Sequence, residues 1–256
     1  MAATDDAREA FERQAWAQVY DCLADTGQLS ADDLERLAIA AYLLGKDDES
    51  TRAWEQAYSA YLAGDPVRAA QCGFWLALTQ LLGGNAARGS GWLARVGCPA
   101  RGYLLAAAAL GAWMSGDSVG SYELCTEAAR IAARFNDRDL AALAWLGQGQ
   151  ASVTGGETAR GVALLDEAMV CVTTGEVSPI PAGIVYCGVI ATCMGVFDLR
   201  RATEWTMALS DWCAAQPDLV PYRGQCLVHR SQILQIHGEW PEATVAARLA
   251  CEHLSQ

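Results

Sequence analysis

The sequence predicts an all-α solenoid of about six helical hairpins, and three observations predict it. First, a turn signal recurs: Gly45, Gly84, Gly116, Gly156, Phe197 and Gly238 align at intervals of 39, 32, 40, 41 and 41 residues. Second, five residues after each stands a small residue, in turn Ser50, Gly89, Ser121, Gly161, Ala202 and Ala243. A small side chain there lets the second helix of a pair approach the first closely. Third, no stretch alternates cleanly enough between apolar and polar to be a strand. A period in this range is the mark of a repeat architecture.

The central hairpin, 143–169, reads LAWLGQGQASVTGGETARGVALLDEAM and shows the pattern best. Its first helix carries Trp145, Gly149 and Ser152; Gly155-Gly156 ends it, and the second carries Gly161, Leu165 and Ala168. Elsewhere the residue seven before the turn is also small (Ala38, Ala77, Ala109), with Ile190 and Ser231 less regular. Twelve after the turn come Ala57, Val96, Ala128, Ala168, Leu209 and Ala250.

In chain order, Ala7, Phe11, Trp16, Val19, Tyr20 and Leu23 predict one amphipathic helix over 5–25, serving as a cap. Ser30 caps the next helix, with Asp33 three residues on. The hairpins follow at 31–44 with 48–63, 66–83 with 85–96, and 100–115 with 117–135. Gly64-Asp65-Pro66 and Cys98-Pro99 separate them, and Asp117 is an internal N-cap. After the central pair, TTGEVSPIP (173–181) reads as a hinge or extended loop. Helices over 182–196 and 199–215 come next, then Gln216-Pro217-Asp218 as a break. The last pair is 221–237 and 241–255, with Pro241 in a first turn.

These small-residue offsets resemble the tetratricopeptide repeat in a stretched form, over roughly residues 30–255. The aromatic expected early in each first helix is clear only at Trp145 and Tyr186. The resemblance implies a right-handed superhelix, with a capping helix over 1–29 and a repeat domain over 30–256.

Composition narrows the function classes. Hydrophobic residues make up 52% of the chain, enough for a continuous core, and the formal net charge is −12. That charge argues against direct nucleic-acid contact, which needs clustered Lys and Arg. It fits a solvated acidic face or a basic partner. The acidic start, MAATDDAREAFERQ, has no apolar signal core, and no apolar run reaches about 20 residues, so no membrane span is expected. Nine of the ten cysteines fall in predicted helices, where Cys is usually a small buried hydrophobe. Reduced thiols in a cytoplasm are the expectation.

Two longer stretches are more specific: GVALLDEAMVCVTTGEVSPI and VYCGVIATCMGVFDLRRATEWTMALSDWCAAQPDLVPYRGQCLVHRSQIL. They resemble the repeat region of large actinobacterial LuxR-type transcription regulators, from about Arg52 onward. Those proteins add an ATPase or cyclase-like part and a DNA-binding helix-turn-helix. Here there is no G-x-x-x-x-G-K-[ST] and no C-terminal helix-turn-helix, so a repeat module alone is expected. The resemblance implies a regulatory, partner-binding or signal-sensing role and supplies no ligand.

Candidate sites are few. Cys226 and His229 share a helical face, and Cys187 on the preceding repeat could come near them, with Cys193 close by in sequence. A metal or haem sensor or a Cys nucleophile would have to be built there, against the plainer reading of core packing. No cofactor, no metal and no enzymatic activity are expected. Arg200-Arg201 and Arg223 with Arg230 could bind an acidic group or pair with Asp198 and Glu204. The main candidate is the surface lined by the first helix of each pair. Its mapped positions are Phe74, Leu78, Tyr103, Leu110 and Trp113 in the first half. In the second half they are Leu146, Gln150, Cys187, Met194, His229 and Gln232. The Lys and Asn pattern with which similar repeats clamp a terminal carboxylate is absent. The expected occupant is therefore an amphipathic helix of a partner protein, an apolar peptide or a small apolar ligand. The alternative is that part of this set is packed core. Val245, Leu249 and Leu254 leave the last helix apolar, which predicts a homodimer through that hairpin.

Overall fold

The computed structural model describes residues 2–96, 101–216 and 218–254. The expected break at Cys98-Pro99 lies outside the described residues, as do the side chains of Val96, Arg223 and Leu254. Among the described residues the protein is all-helical, with fourteen helices and no strand. They are α1 (Ala2–Glu12), α2 (Trp16–Leu23), α3 (Ala31–Leu43), α4 (Asp47–Tyr61), α5 (Pro66–Leu82), α6 (Ala86–Val96) and α7 (Arg101–Met114). The chain continues with α8 (Ser118–Phe135), α9 (Arg138–Thr154), α10 (Thr158–Thr173), α11 (Pro179–Gly195), α12 (Leu199–Ala214), α13 (Pro221–His237) and α14 (Trp240–Leu254).

Turn chemistry sets the helix ends. All six aligned turn residues have left-handed backbone: Gly45 (φ 72°), Gly84 (82°), Gly116 (88°), Gly156 (89°), Phe197 (59°) and Gly238 (78°). The next residue's N–H then reaches a carbonyl five back, as in Glu157 N to Ser152 O at 2.8 Å and Asp198 N to Cys193 O at 2.9 Å. This closes the carbonyls left open at a helix C-terminus. Phe197 holds the same conformation with a Cβ, which most residues avoid. Side-chain caps start the partners: Ser30 accepts from Asp33 N (3.1 Å), Asp117 from Gly120 N (2.8 Å) and Asp137 from Leu140 N (3.0 Å).

Within a pair, the small residues carry the contact. A Cβ added to Gly161 would stand 2.6 Å from Gly149 O, and one added to Gly89 2.9 Å from Ala77 O. Both are shorter than any real carbon contact, so only glycine fits. Where serine replaces glycine it makes a bond instead. Ser50 Oγ donates to Ala38 O (2.8 Å), and Ser231 Oγ to Ala243 O (3.1 Å). Ser231, irregular by sequence, is therefore the same joint with donor and acceptor exchanged between helices.

The helices form two compact units. The first comprises Met1–Leu104 and Gln216–Pro221. Trp16, Leu23, Trp54, Phe74 and Leu76 form its core, and successive helices from α1 to α6 pack on each other. The strap 216–221 is bonded into it: Trp16 Nε1 donates to Gln216 Oε1 (3.0 Å) and Val220 N to Leu43 O (2.8 Å). By sequence this strap was only a break. The second unit comprises Leu105–Ala215 and Tyr222–Gln256. Leu140, Leu165, Met169, Ile190 and Leu209 are its largest fully buried side chains. There α9 packs on α8, α10 and α11, and α11 on α12.

Two expectations are corrected. The helix expected over 5–25 is two, α1 and α2, broken at Gln14, whose φ is 58°. The loop expected over 173–181 is shorter, because α11 begins at Pro179 with Ser178 as its N-cap. Proline fits a first helical turn, where its missing N–H would have no partner. Asp139 ties this loop down, accepting from Ser178 N (2.7 Å) and Ser178 Oγ (2.6 Å).

Candidate ligand hollow

The second unit contains an open hollow of about 670 Å³ beside α13. That is ample for a small organic ligand or a short peptide. Three contacts on its other sides fix α13. Tyr222 donates to Ile180 O (3.1 Å), and its ring occupies the space where a Cβ on Gly183 would stand, 2.3 Å from Tyr222 Cζ. Cys226 Sγ lies 4.0 Å from Thr206 O on α12, and Ser231 bonds α14. The remaining face presents Gln225, His229, Gln232 and Ile236 to the hollow. Their spacing of four, three and four residues is one stripe of an α-helix. Ala191 and Met194, one turn apart on α11, line it too. Trp240, 63% exposed at the start of α14, and Gln235 complete the lining.

No lining side chain carries a formal charge at neutral pH. The one that could, His229, is 5% exposed, and its burial lowers its pKa from the ordinary 6.5, with a hydrogen bond to Gln232 acting the other way. Its Nδ1 is buried with no hydrogen-bond partner, and its Nε2 lies 3.5 Å from Gln225 Nε2. Burial is the larger effect, so it favours the neutral ring.

The mapped residues separate into three groups. Met194, His229 and Gln232 come together in this hollow. Phe74, Leu78, Tyr103 and Leu146, expected on an open surface, are at most 8% exposed and are packed core. Phe74 lies against both Trp75 and Tyr103, with ring centroids 5.0 and 4.8 Å away. The remaining four are open to solvent to differing degrees but lie outside the hollow. Trp113 is half-buried and donates to Thr154 Oγ1 (3.0 Å), Gln150 donates to Thr192 Oγ1 (3.4 Å), Leu110 is 38% exposed and Cys187 is half-buried.

The sequence reading missed Ala191, Gln225, Gln235, Ile236 and Trp240. The stripe 225–229–232–236 was available as a signal; Trp240 falls beyond the turn, where helical spacing no longer applies.

The Cys/His cluster is thinner than the spacing suggested. Among the described residues no group of three or more His, Cys, Asp or Glu is placed to hold a metal ion. Burial pushes the Cys187 thiol up to about 12 and raises Cys226 too, so both stay protonated at neutral pH, the wrong form for a nucleophile or a zinc ligand. Arg201 is held by Asp166 (3.0 Å) and Asp198 (2.6 Å), and Arg200 by Glu204 (3.6 Å). No described helix is long and apolar enough to cross a membrane.

No family model matches the chain, and no curated protein matches it. Among solved structures it is similar to BtubC (BKLC) from P. vanneervenii, at 13% identity and a TM-score of 0.45, covering 99% of this chain and 89% of that one. A likeness at that level carries no weight for function.

Proposed function

We propose that this protein is a helical-repeat recognition module that binds an uncharged ligand, part amide-like and part apolar, in the hollow beside α13. The observation that carries this reading is the lining itself. Three glutamine amides and a neutral imidazole stand beside Met194, Ile236 and Trp240, with no charge among them. A charged ligand would be desolvated there without a counter-charge, which is unfavourable. Glutamine both donates and accepts, so it pairs with amide groups of either orientation.

The wider setting is also a proposal. Six tetratricopeptide-like hairpins wound right-handed, with residues 1–29 as a cap on 30–256, account for the six equivalent turns. A cytoplasmic signal-sensing role in transcription regulation rests on the local resemblance to LuxR-type repeat regions. A second copy of the chain is the proposed cover for Val245 and Leu249, which are 57% and 41% exposed.

Calorimetry with three matched probes tests the ligand class: N-acetyl-phenylalaninamide, N-acetyl-phenylalanine and phenethylamine. The neutral amide should bind, and Trp240→Ala should weaken it by about tenfold, the loss of one aromatic contact surface. The anion and the cation should bind at least about tenfold more weakly. Equal binding of the charged probes, or indifference to Trp240→Ala, would remove the hollow as the site.

A further inference from the structure

We infer that the hollow takes an extended, uncharged peptide strand, read through its backbone by Gln225, His229 and Gln232, with one apolar side chain at Ile236 and Trp240. This rests on the hollow being the binding site and adds what occupies it. Gln225 and Ile236 lie at opposite ends of one helical stripe, separated by roughly 16 Å along α13 at the α-helical rise. The polar groups of the stripe recur every turn, so they match a ligand whose donors and acceptors also recur along a line. A peptide in extended conformation offers that, advancing about 3.3 Å per residue, so about five residues span the stripe. A compact ligand held at Trp240 would leave Gln225 unused.

The chemistry of each position agrees. Gln232 is exposed, and its amide is engaged by the His229 side chain, whose pKa it acts to raise. Gln225 is half-buried, and its amide makes a long 3.5 Å approach to His229. His229 stays neutral, so it offers a peptide one donor or one acceptor and no charge. At the far end the stripe changes character, with Ile236 48% and Trp240 63% exposed. A side chain seated there would cover apolar surface now in water. The strand would be internal to its own chain or blocked at its ends, because the lining offers neither terminus a counter-charge.

A length series tests this by calorimetry. The probes are acetyl-Phe-amide and two blocked pentapeptides, acetyl-Phe-(Ala)4-amide and acetyl-(Ala)4-Phe-amide, which run from Phe in opposite directions. One pentapeptide should bind about tenfold or more tighter than acetyl-Phe-amide, the gain expected from two or so net hydrogen bonds. Methylating its backbone nitrogens should remove that gain. Gln225→Ala should also remove it. Gln232→Ala, at an exposed position that should not disturb folding, should act on the same gain. Affinity that does not change with length, or pentapeptide binding indifferent to both Gln225→Ala and N-methylation, overturns the peptide while leaving a small amide site. Failure of every probe to bind overturns both readings.

Discussion

Trp16 and Gln216 are 200 residues apart, both essentially inaccessible, and joined by a 3.0 Å bond. Gln216→Ala leaves the indole N–H buried without that acceptor and should cost about 1–3 kcal/mol in urea unfolding. The same change in a Trp16→Phe background should cost clearly less, since the donor is already gone. Equal costs in the two backgrounds would show that the bond contributes nothing. His229 gives a pH-dependent counterpart. Its folded pKa lies below the unfolded 6.5, so the unfolded chain takes up the proton first. Stability from this group is present above pH 6.5 and is lost as pH falls through the folded value. His229→Gln should flatten that part of the stability profile, read as the difference between the two proteins from pH 7 down to about 5. At this scale Met194, His229 and Gln232 were legible, because polar or soft residues on a face of a first helix stand out from core. Phe74, Tyr103 and Leu146 were not, because spacing assigns a face to a helix without saying what covers it. For Phe74 that is a cluster with Trp75 and Tyr103.

The helical pair was the most legible element. A small residue five after each turn, with another seven before it in all pairs but that of Ile190, is a statement about backbone distance, and Gly149 with Gly161 meets it literally. Gly161→Ala should therefore destabilise by about 1–3 kcal/mol through overpacking. Gly111→Ala, in an exposed stretch of α7 with nothing within 4 Å of the new Cβ, should stabilise by about 0.5–1 kcal/mol through helix propensity. Chemical denaturation of both variants reads the two signs, and the same sign for both would mean that close approach does not govern the pair. Where elements were misread, the cause was local. The five-residue step from Phe11 to Trp16 breaks helical period, and the chain does turn there, at Gln14. Pro179 and Pro181 suggested a loop, although a first helical turn accommodates proline as readily.

For the whole molecule, the six equivalent turns were readable in advance and the strap 216–221 was not. A strap is held by single bonds to distant residues, and no periodicity records them. The mapped surface also ran through residues that fall in two compact units, whereas the hollow lies within one. Exposure of Val245 and Leu249 on α14 leads us to expect a dimer in sedimentation, which Leu249→Glu should convert to monomer. A monomer at high concentration, unchanged by the substitution, would count against that interface. The central claim is that the hollow is held uncharged and binds through its neutral face. Its most direct measurement is an NMR titration of the His229 ring, with and without N-acetyl-phenylalaninamide. The ring should titrate below 6.5, shift on addition of the probe, and titrate lower still when the probe is bound. A ring that titrates at or above 6.5, or that ignores the probe at saturation, would contradict the account.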